Sequence, residues 1–311
     1  MNAPEMRIKK IRSEPIEDIL ETVLNGYQLR VEIVSETIYC GSWYDDERQT
    51  QRGQFHLIGA GECEVTGPML SHPHLLRGGD LAIFPHGTRH RLAAAPGNAN
   101  KADSYTSMLC GELEFINGSR NPVLNALPEC LIVNAHDGGE SFRKLSEVLG
   151  QFARDPRLGQ RIVMNKLADS LFTLAVCEYA HGASDPRGIF AALADRHLAR
   201  ALDAIHRRPG ESWTLDGLAQ LAGMSRSAFA QHFTEVMQMP PIAYLTAWRV
   251  TQAKQLLRER RLSVAAIAER MGYKSEAAFR KLFKRIEGVG PGKIRSEARS
   301  GESSEHPPVE R

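Results

Sequence analysis

Three histidines and two cysteines in the first part of the chain have types and spacing that could carry chemistry. His56, His86 and His90 lie in or beside short strand-like runs, and three imidazoles can hold Zn²⁺ or Cu²⁺ if the fold brings them to one point. His86 and His90 are separated by a turn rather than a regular helix, so their convergence depends on how the strands fold back. Cys40 and Cys110 each close a strand-like pattern, Ile38-Tyr39-Cys40-Gly41 and Met108-Leu109-Cys110-Gly111. With glycine marking a strand break or bulge, two such ends lying side by side would form a thiol pair open to oxidation. Cys63, Cys130 and Cys177 read as packing residues. Five cysteines without a CxxC spacing exclude a disulfide scaffold and a thiolate zinc knuckle.

A second group of residues lies at the other end, where the charge balance changes. Residues 1–189 hold 19 Lys and Arg against 24 Asp and Glu, net −5, whereas residues 190–311 hold 20 against 13, net +7. A basic third attracts polyanions. The same third repeats itself: Leu218-Ala219, Ala222-Gly223-Met224, Ser225, Phe229 and Phe233 recur as Ile267-Ala268, Met271-Gly272-Tyr273, Ser275, Phe279 and Phe283. Each copy predicts a short helix (Leu215 to Leu221; Val264 to Arg270), a glycine where positive φ is cheap, a serine cap, and a second helix with two phenylalanines on one face. Between the copies, Ile242 to Arg260 predicts one long amphipathic helix after Pro240-Pro241. Held parallel by that helix, the two second helices would enter successive major-groove faces about 34 Å apart.

The runs WTLDGLAQLAGMSRSAFAQHF (213–233), AYLTAWRVTQAKQLL (243–257) and SVAAIAERMGYKSEAAFRKLFKRIEGVGPGKIR (263–295) resemble the DNA-binding domain of AraC/XylS transcription regulators. The resemblance implies base-reading positions at Arg226, Ser227 and Gln231 in the first recognition helix, and at Lys274, Arg280 and Lys281 around the second. Gln231 suits adenine, and Arg280 or Lys281 guanine. Lys284, Arg285 and Arg295 suit phosphates. Two positions depart from the family pattern, His232 in place of a basic residue and Ile294 in place of an aromatic.

From Arg30 to Val133 the pattern changes to short strand-like runs broken by turns, as in a small barrel or sandwich. Gly79, Pro85, Gly87 and His90 have the G-x5-P-x-G-x2-H spacing that resembles the second motif of cupins, with a turn that would point His90 inward. Where cupin enzymes carry an H-x-H pair and a Glu, this chain has Arg48 to Thr50 and Gln54. A metal-dependent cupin enzyme with an accessory DNA-binding domain is therefore the weaker alternative, and the expected protein is not an enzyme. Its expected cofactors are none, apart from Zn or Cu at His56, His86 and His90.

The expected architecture is α+β, with five parts. Residues 1–28 form an N-terminal segment, 29–135 a cupin-like sensor domain, and 136–196 a helical linker and dimerisation region with helices over Ser141 to Arg154 and Leu158 to Tyr179. Residues 197–299 form the all-α domain with two helix-turn-helix motifs joined by a long helix, and 300–311 a disordered tail. The 311 residues, 42% hydrophobic and 24% charged, have the composition of an ordinary soluble protein. The lack of an apolar leader or spanning segment predicts the cytoplasm and no membrane. The resemblance implies a regulator, by family habit an activator. Its expected partners are double-stranded DNA with a bipartite promoter site, a second copy of the chain, RNA polymerase, and a small-molecule or oxidant effector.

Overall fold

A computed structural model describes residues 15–27, 29–97, 105–115, 121–154 and 159–296; the tail 300–311 lies outside them. The chain divides into two compact units. One is Tyr27–Phe190, and the other combines the residues from Ala191 onward with the N-terminal residues through Gly26.

The first unit holds two antiparallel sheets. The larger has the order β1 (Leu29–Cys40), β8 (Tyr105–Phe115), β3 (Gly53–Ala60), β6 (Leu81–Phe84), β9 (Leu131–Val133). The smaller has the order β2 (Tyr44–Glu47), β7 (His90–Ala94), β4 (Glu62–Thr66), β5 (His74–Arg77). Ile58, Cys63, Val65, Leu76, Phe84, Leu92 and Met108 form one core cluster of this unit. The opposite face of the larger sheet is also covered, so β3 and β6 read as nearly continuous apolar runs without clean alternation. Its cover is helical. Of α3 (Gly139–Arg154) and α4 (Gln160–Gly182), the latter buries Met164, Ala168, Leu171, Phe172, Ala175 and Val176, a stripe at helical spacing. Asp169 and Asn165 of α4 accept the backbone N–H groups of Val31 (2.8 Å) and Ile33 (3.1 Å), tying the helix to β1. A short helix α2 (Pro122–Ala126), capped by the buried Asn121, lies between β8 and β9.

α5 (Gly188–Ala194) leads into the second unit, which contains α6 (Arg196–Arg207), α7 (Leu215–Ala222), α8 (Arg226–Met237), α9 (Pro241–Glu259), α10 (Val264–Arg270) and α11 (Glu276–Glu287). The N-terminal segment contributes a helix that sequence reading missed. α1 (Pro15–Gly26) joins this distant unit because Ile19, Leu20 and Val23 recur on one side of the helix and are buried there. Gly26 ends α1 against the Trp248 ring, where any β-carbon would overlap the indole.

Trp248, Tyr244 and His206 are buried side chains between α6 and α9. His206 faces the Tyr244 hydroxyl at 2.8 Å, and burial pushes its pKa down to about 3. In the unfolded chain the same imidazole titrates near 6.5, so below that pH the unfolded state binds a proton that the folded state refuses. Stability from this group is complete above about pH 6.5 and is lost as the pH falls towards 3, by about 2 kcal/mol at pH 5. Urea unfolding at pH 7.5 and pH 5 should show this loss in the wild type and a smaller one in His206→Gln. Equal slopes in the two proteins would contradict it.

Candidate nucleic-acid interface and sensor cluster

The two repeats fold by the same local devices. Thr214 and Ser263 cap α7 and α10, accepting from Gly217 N–H (3.0 Å) and Ala266 N–H (3.1 Å). Gly223 (φ 66°) and Gly272 (φ 77°) then turn the chain through the left-handed region. Ser225 and Ser275 cap α8 and α11 through Ala228 N–H and Ala278 N–H. Phe229 and Phe233, like Phe279 and Phe283, are fully buried, with ring centroids 5.6 and 5.5 Å apart. Burying that face leaves the opposite face of each second helix in solvent.

Arg226, Ser227 and Gln231 are exposed on α8, as are Lys274 just before α11 and Arg280, Lys281, Lys284 and Arg285 on it. Glu276 holds the Arg280 guanidinium at 2.6 Å across one helical turn, so the arginine is aimed along its helix. The pair is exposed, and opening it costs little. Gln231 donates to Glu235 at 2.9 Å. Arg295 departs from its expected phosphate contact: it is half-buried and donates to the Leu262 carbonyl, bracing the loop between α9 and α10. His232, the departure from the family pattern, points inward to Asp195, the N-cap of α6, at 2.6 Å. Burial pushes the Asp195 carboxyl up, but bonds from His232 and from the N–H groups of Leu198 and His197 outweigh it and hold the pKa below the usual range.

Sequence reading missed the clasp that joins the two motifs. Arg249 of α9 donates from Nε to the Pro209 carbonyl and from Nη2 to the Glu211 carbonyl, both at 2.6 Å. The same guanidinium lies over the Tyr273 ring, 5.6 Å from its centroid, in the turn of the second motif. Gly210 and Gly272 bring the two turns backbone to backbone: a β-carbon on Gly210 would overlap the Arg270 carbonyl, and one on Gly272 the Gly210 carbonyl. Lys254 of α9 adds a buried ion pair with Glu287 of α11 at 2.6 Å. Nothing local to Gly210 signals this contact, since its partners Arg270 and Gly272 lie about 60 residues on.

In the sheet unit, β3 pairs with β8 so that His56 stands opposite Cys110. A single file of groups results. His90 Nδ1 donates to the Thr88 carbonyl (2.8 Å), which leaves Nε2 to accept from His56 Nε2–H (2.8 Å), and His56 Nδ1 to accept from the Cys110 thiol (3.1 Å). The carbonyl can only accept, so with both rings neutral the proton positions follow from that end of the file. Burial lowers the pKa of both histidines and pushes the Cys110 thiol up to about 12, keeping the file neutral. The His90 ring stacks on Phe84 at 3.5 Å. A cleft of about 650 Å³, lined by Asp46, Glu47, Arg48, Arg89, His90 and Arg91 among others, opens at the His90 end.

Two expectations about this region are corrected. His86 turns away to the Leu127 carbonyl (3.2 Å), and both ring nitrogens of His56 are engaged, so His56, His86 and His90 do not converge on a Zn or Cu ion. Among the described residues no group of three or more His, Cys, Asp or Glu side chains is placed to hold a metal. Cys40 and Cys110 are not neighbours either. Cys40 pairs with Tyr105 and Cys110 with Ser35, which separates them by about 17 Å along the ladder. Cys110 lies within β8 because Gly111 does not end the strand; it makes room for the Phe55 ring and the Glu32 carbonyl.

The two units thus combine a double-sheet fold with a pair of clasped helix-turn-helix motifs, an architecture of DNA-binding regulators. Residues 18–181 match the Cupin family and residues 218–297 a helix-turn-helix domain family. The "RCS-specific HTH-type transcriptional activator RclR" of Escherichia coli K12 is 31% identical over 249 residues, 79% of this chain and 85% of that protein. An uncharacterized HTH-type transcriptional regulator of Haemophilus influenzae Rd is 30% identical over 302 residues, 89% of this chain and 98% of that one. Among solved structures, the DNA-binding domain of AdpA in complex with a target DNA is 31% identical, spanning 34% of this chain and 95% of that one with a TM-score of 0.32. The chain belongs to the AraC-type transcription regulators with a cupin N-terminal domain. No helix among the described residues is long and apolar enough to cross a membrane.

The clasp has a direct test. Gly272 and Gly288 share a positive φ (77° and 75°), but a β-carbon meets the Gly210 carbonyl only at Gly272. Gly272→Ala should therefore destabilise the protein more than Gly288→Ala, by about 1–3 kcal/mol in urea unfolding. Equal losses would mean that the two turns are not in tight backbone contact.

Proposed function

We propose that this regulator binds a bipartite promoter site as a homodimer and activates transcription when its cupin unit is oxidised. The observation that carries the reading is the file ending at Cys110: a half-buried thiol within hydrogen-bond distance of the His56 imidazole. A protonated thiol is a poor nucleophile towards peroxide. The protonated thiol therefore favours a stronger electrophilic oxidant of the hypochlorous acid class, with His56 Nδ1 as its hydrogen-bond partner. Two-electron oxidation by hypochlorous acid converts Cys110–SH to Cys110–SOH with release of chloride and a proton, and the added oxygen changes the group that meets His56 in the file. A cleft lies beside His90 at the other end of the file, and the E. coli relative is named an RCS-specific activator.

On the DNA side, Arg226, Ser227, Gln231, Lys274, Arg280 and Lys281 are assigned to bases, and Lys284 and Arg285 to phosphates, following exposure on the two recognition helices. Arg280→Ala should relax specificity at one base pair at a cost of ~1–3 kcal/mol, whereas Lys284→Ala should weaken all sequences alike and reduce the salt slope by about one. Equal losses on every DNA for Arg280→Ala would refute its base-reading role.

The sensing claim is tested by binding to the protein's own upstream DNA after treatment with hypochlorite or hydrogen peroxide, with thiols counted by mass spectrometry. Hypochlorite should change binding together with oxidation of Cys110, peroxide should act far more slowly, and Cys110→Ser should abolish the response while Cys40→Ser keeps it. A Cys110→Ser protein that still responds would overturn the assignment. A small-molecule effector in the cleft beside His90 would then be the better reading.

A further inference from the structure

We propose that a cleft in the helical unit binds an adenine nucleotide, and that its occupancy braces the clasp between the two helix-turn-helix motifs. None of its lining residues lies on α8 or α11, the helices assigned to DNA. The cleft has a volume of about 650 Å³, within the usual range of small-molecule sites, and three walls. One is the stripe Gln252, Gln255, Leu256 and Glu259, which the i, i+3, i+4, i+7 spacing places on one side of α9. The second runs from His206 at the end of α6 through the turn to Glu211, and the third is Arg270 and Met271 at the end of α10.

Several polar groups around this space are unspent. The carboxamides of Gln252 and Gln255 are half-buried and have no hydrogen-bond partner among the described residues. His206 is buried, and while its Nε2 faces the Tyr244 hydroxyl its Nδ1 has no partner. Polar groups removed from water cost free energy unless they are paired, so three of them around one cavity point to a ligand with donors and acceptors of its own.

The chemistry of the walls selects that ligand. A glutamine carboxamide sets a donor beside an acceptor, an edge that matches adenine N6 and N7. Leu256 and the buried Met271 supply apolar surface for a flat ring. Glu259 and Arg270 are exposed at the rim without an ion-pair partner among the described residues, a carboxylate suited to ribose hydroxyls and a guanidinium suited to phosphate. The other rim charges are already matched, Arg208 with Glu211 at 3.0 Å and Arg207 with Asp203 at 2.6 Å. Gly210 and Met271 belong to the two turns whose backbones touch, so a ligand filling the cleft bears on both sides of the clasp. Nucleotide and bipartite DNA are then linked, each tightening the other by the same factor.

Isothermal titration calorimetry of the full chain with AMP, adenosine and inorganic phosphate tests the site. AMP should bind with a dissociation constant below about 1 mM, adenosine more weakly, and phosphate without measurable heat. Gln255→Leu should weaken AMP about tenfold, as for hydrogen bonds lost at a desolvated site. Arg270→Ala should weaken AMP by a similar factor and leave adenosine unchanged, and both variants should unfold at the wild-type urea midpoint. Lys284→Ala, on the DNA-facing helix, should leave AMP binding as it is. AMP should in turn lower the dissociation constant of the bipartite duplex. Absence of AMP binding, or binding lost in Lys284→Ala and kept in Gln255→Leu, overturns the site; AMP that binds there with no change in DNA affinity overturns its link to the clasp.

Discussion

The backbone contact between Gly210 and Gly272, locked by Arg249, is the constraint on which the DNA-binding unit depends. The second helix of the first motif buries Phe229, Phe233 and Met237, that of the second Phe279 and Phe283, and Val250, Ala253 and Leu257 of α9 join the core of the second motif. α9 is therefore both spacer and shared core, packing on α8 through Tyr244 and Phe233 and on α10 and α11 through Val250, Ala253 and Leu257. Arg249 adds a direct link, gripping two carbonyls of the turn before the first motif while its face covers Tyr273 of the second. With Lys254, further along α9, paired to Glu287 of α11, the two recognition helices are presented from a single frame.

The sheet unit is governed by a different physical rule, the cost of burying polar groups. His56, His90 and Cys110 tolerate the interior because each donor meets one acceptor, and the Thr88 carbonyl fixes the direction of the whole file. In a chain of that kind a chemical change at one member alters the hydrogen-bond partner of the next. The same logic accounts for the lack of fit to a metal, because the ring nitrogens that would bind one are already used between the side chains.

Much of the fold was readable from local pattern. The repeat of Gly, Ser and paired Phe defines both helix-turn-helix motifs, and the predicted Val264 to Arg270 helix matches α10. What escaped was set by partners distant in sequence. His56 faces Cys110 only because of the β3–β8 register, which no local signal encodes. Gly111 reads as a strand end but serves close packing, and that misled the pairing of Cys40 with Cys110. α1 carries an evident apolar stripe, yet the surface it covers, near Trp248, lies more than two hundred residues away in the chain. Arg249 and Arg295 look like any other basic residue of a DNA-binding domain until their carbonyl partners are seen.

The most direct test of a single rigid frame is the affinity of the protein, at fixed salt, for a duplex carrying its bipartite site and for the same duplex with about five base pairs inserted between the half-sites. Half a helical turn of insertion moves the second half-site to the opposite side of the DNA. A clasped pair of motifs predicts a fall to nearly the affinity of one half-site alone, whereas equal affinity for both duplexes would show that the motifs move independently and that the clasp does not set the geometry of recognition.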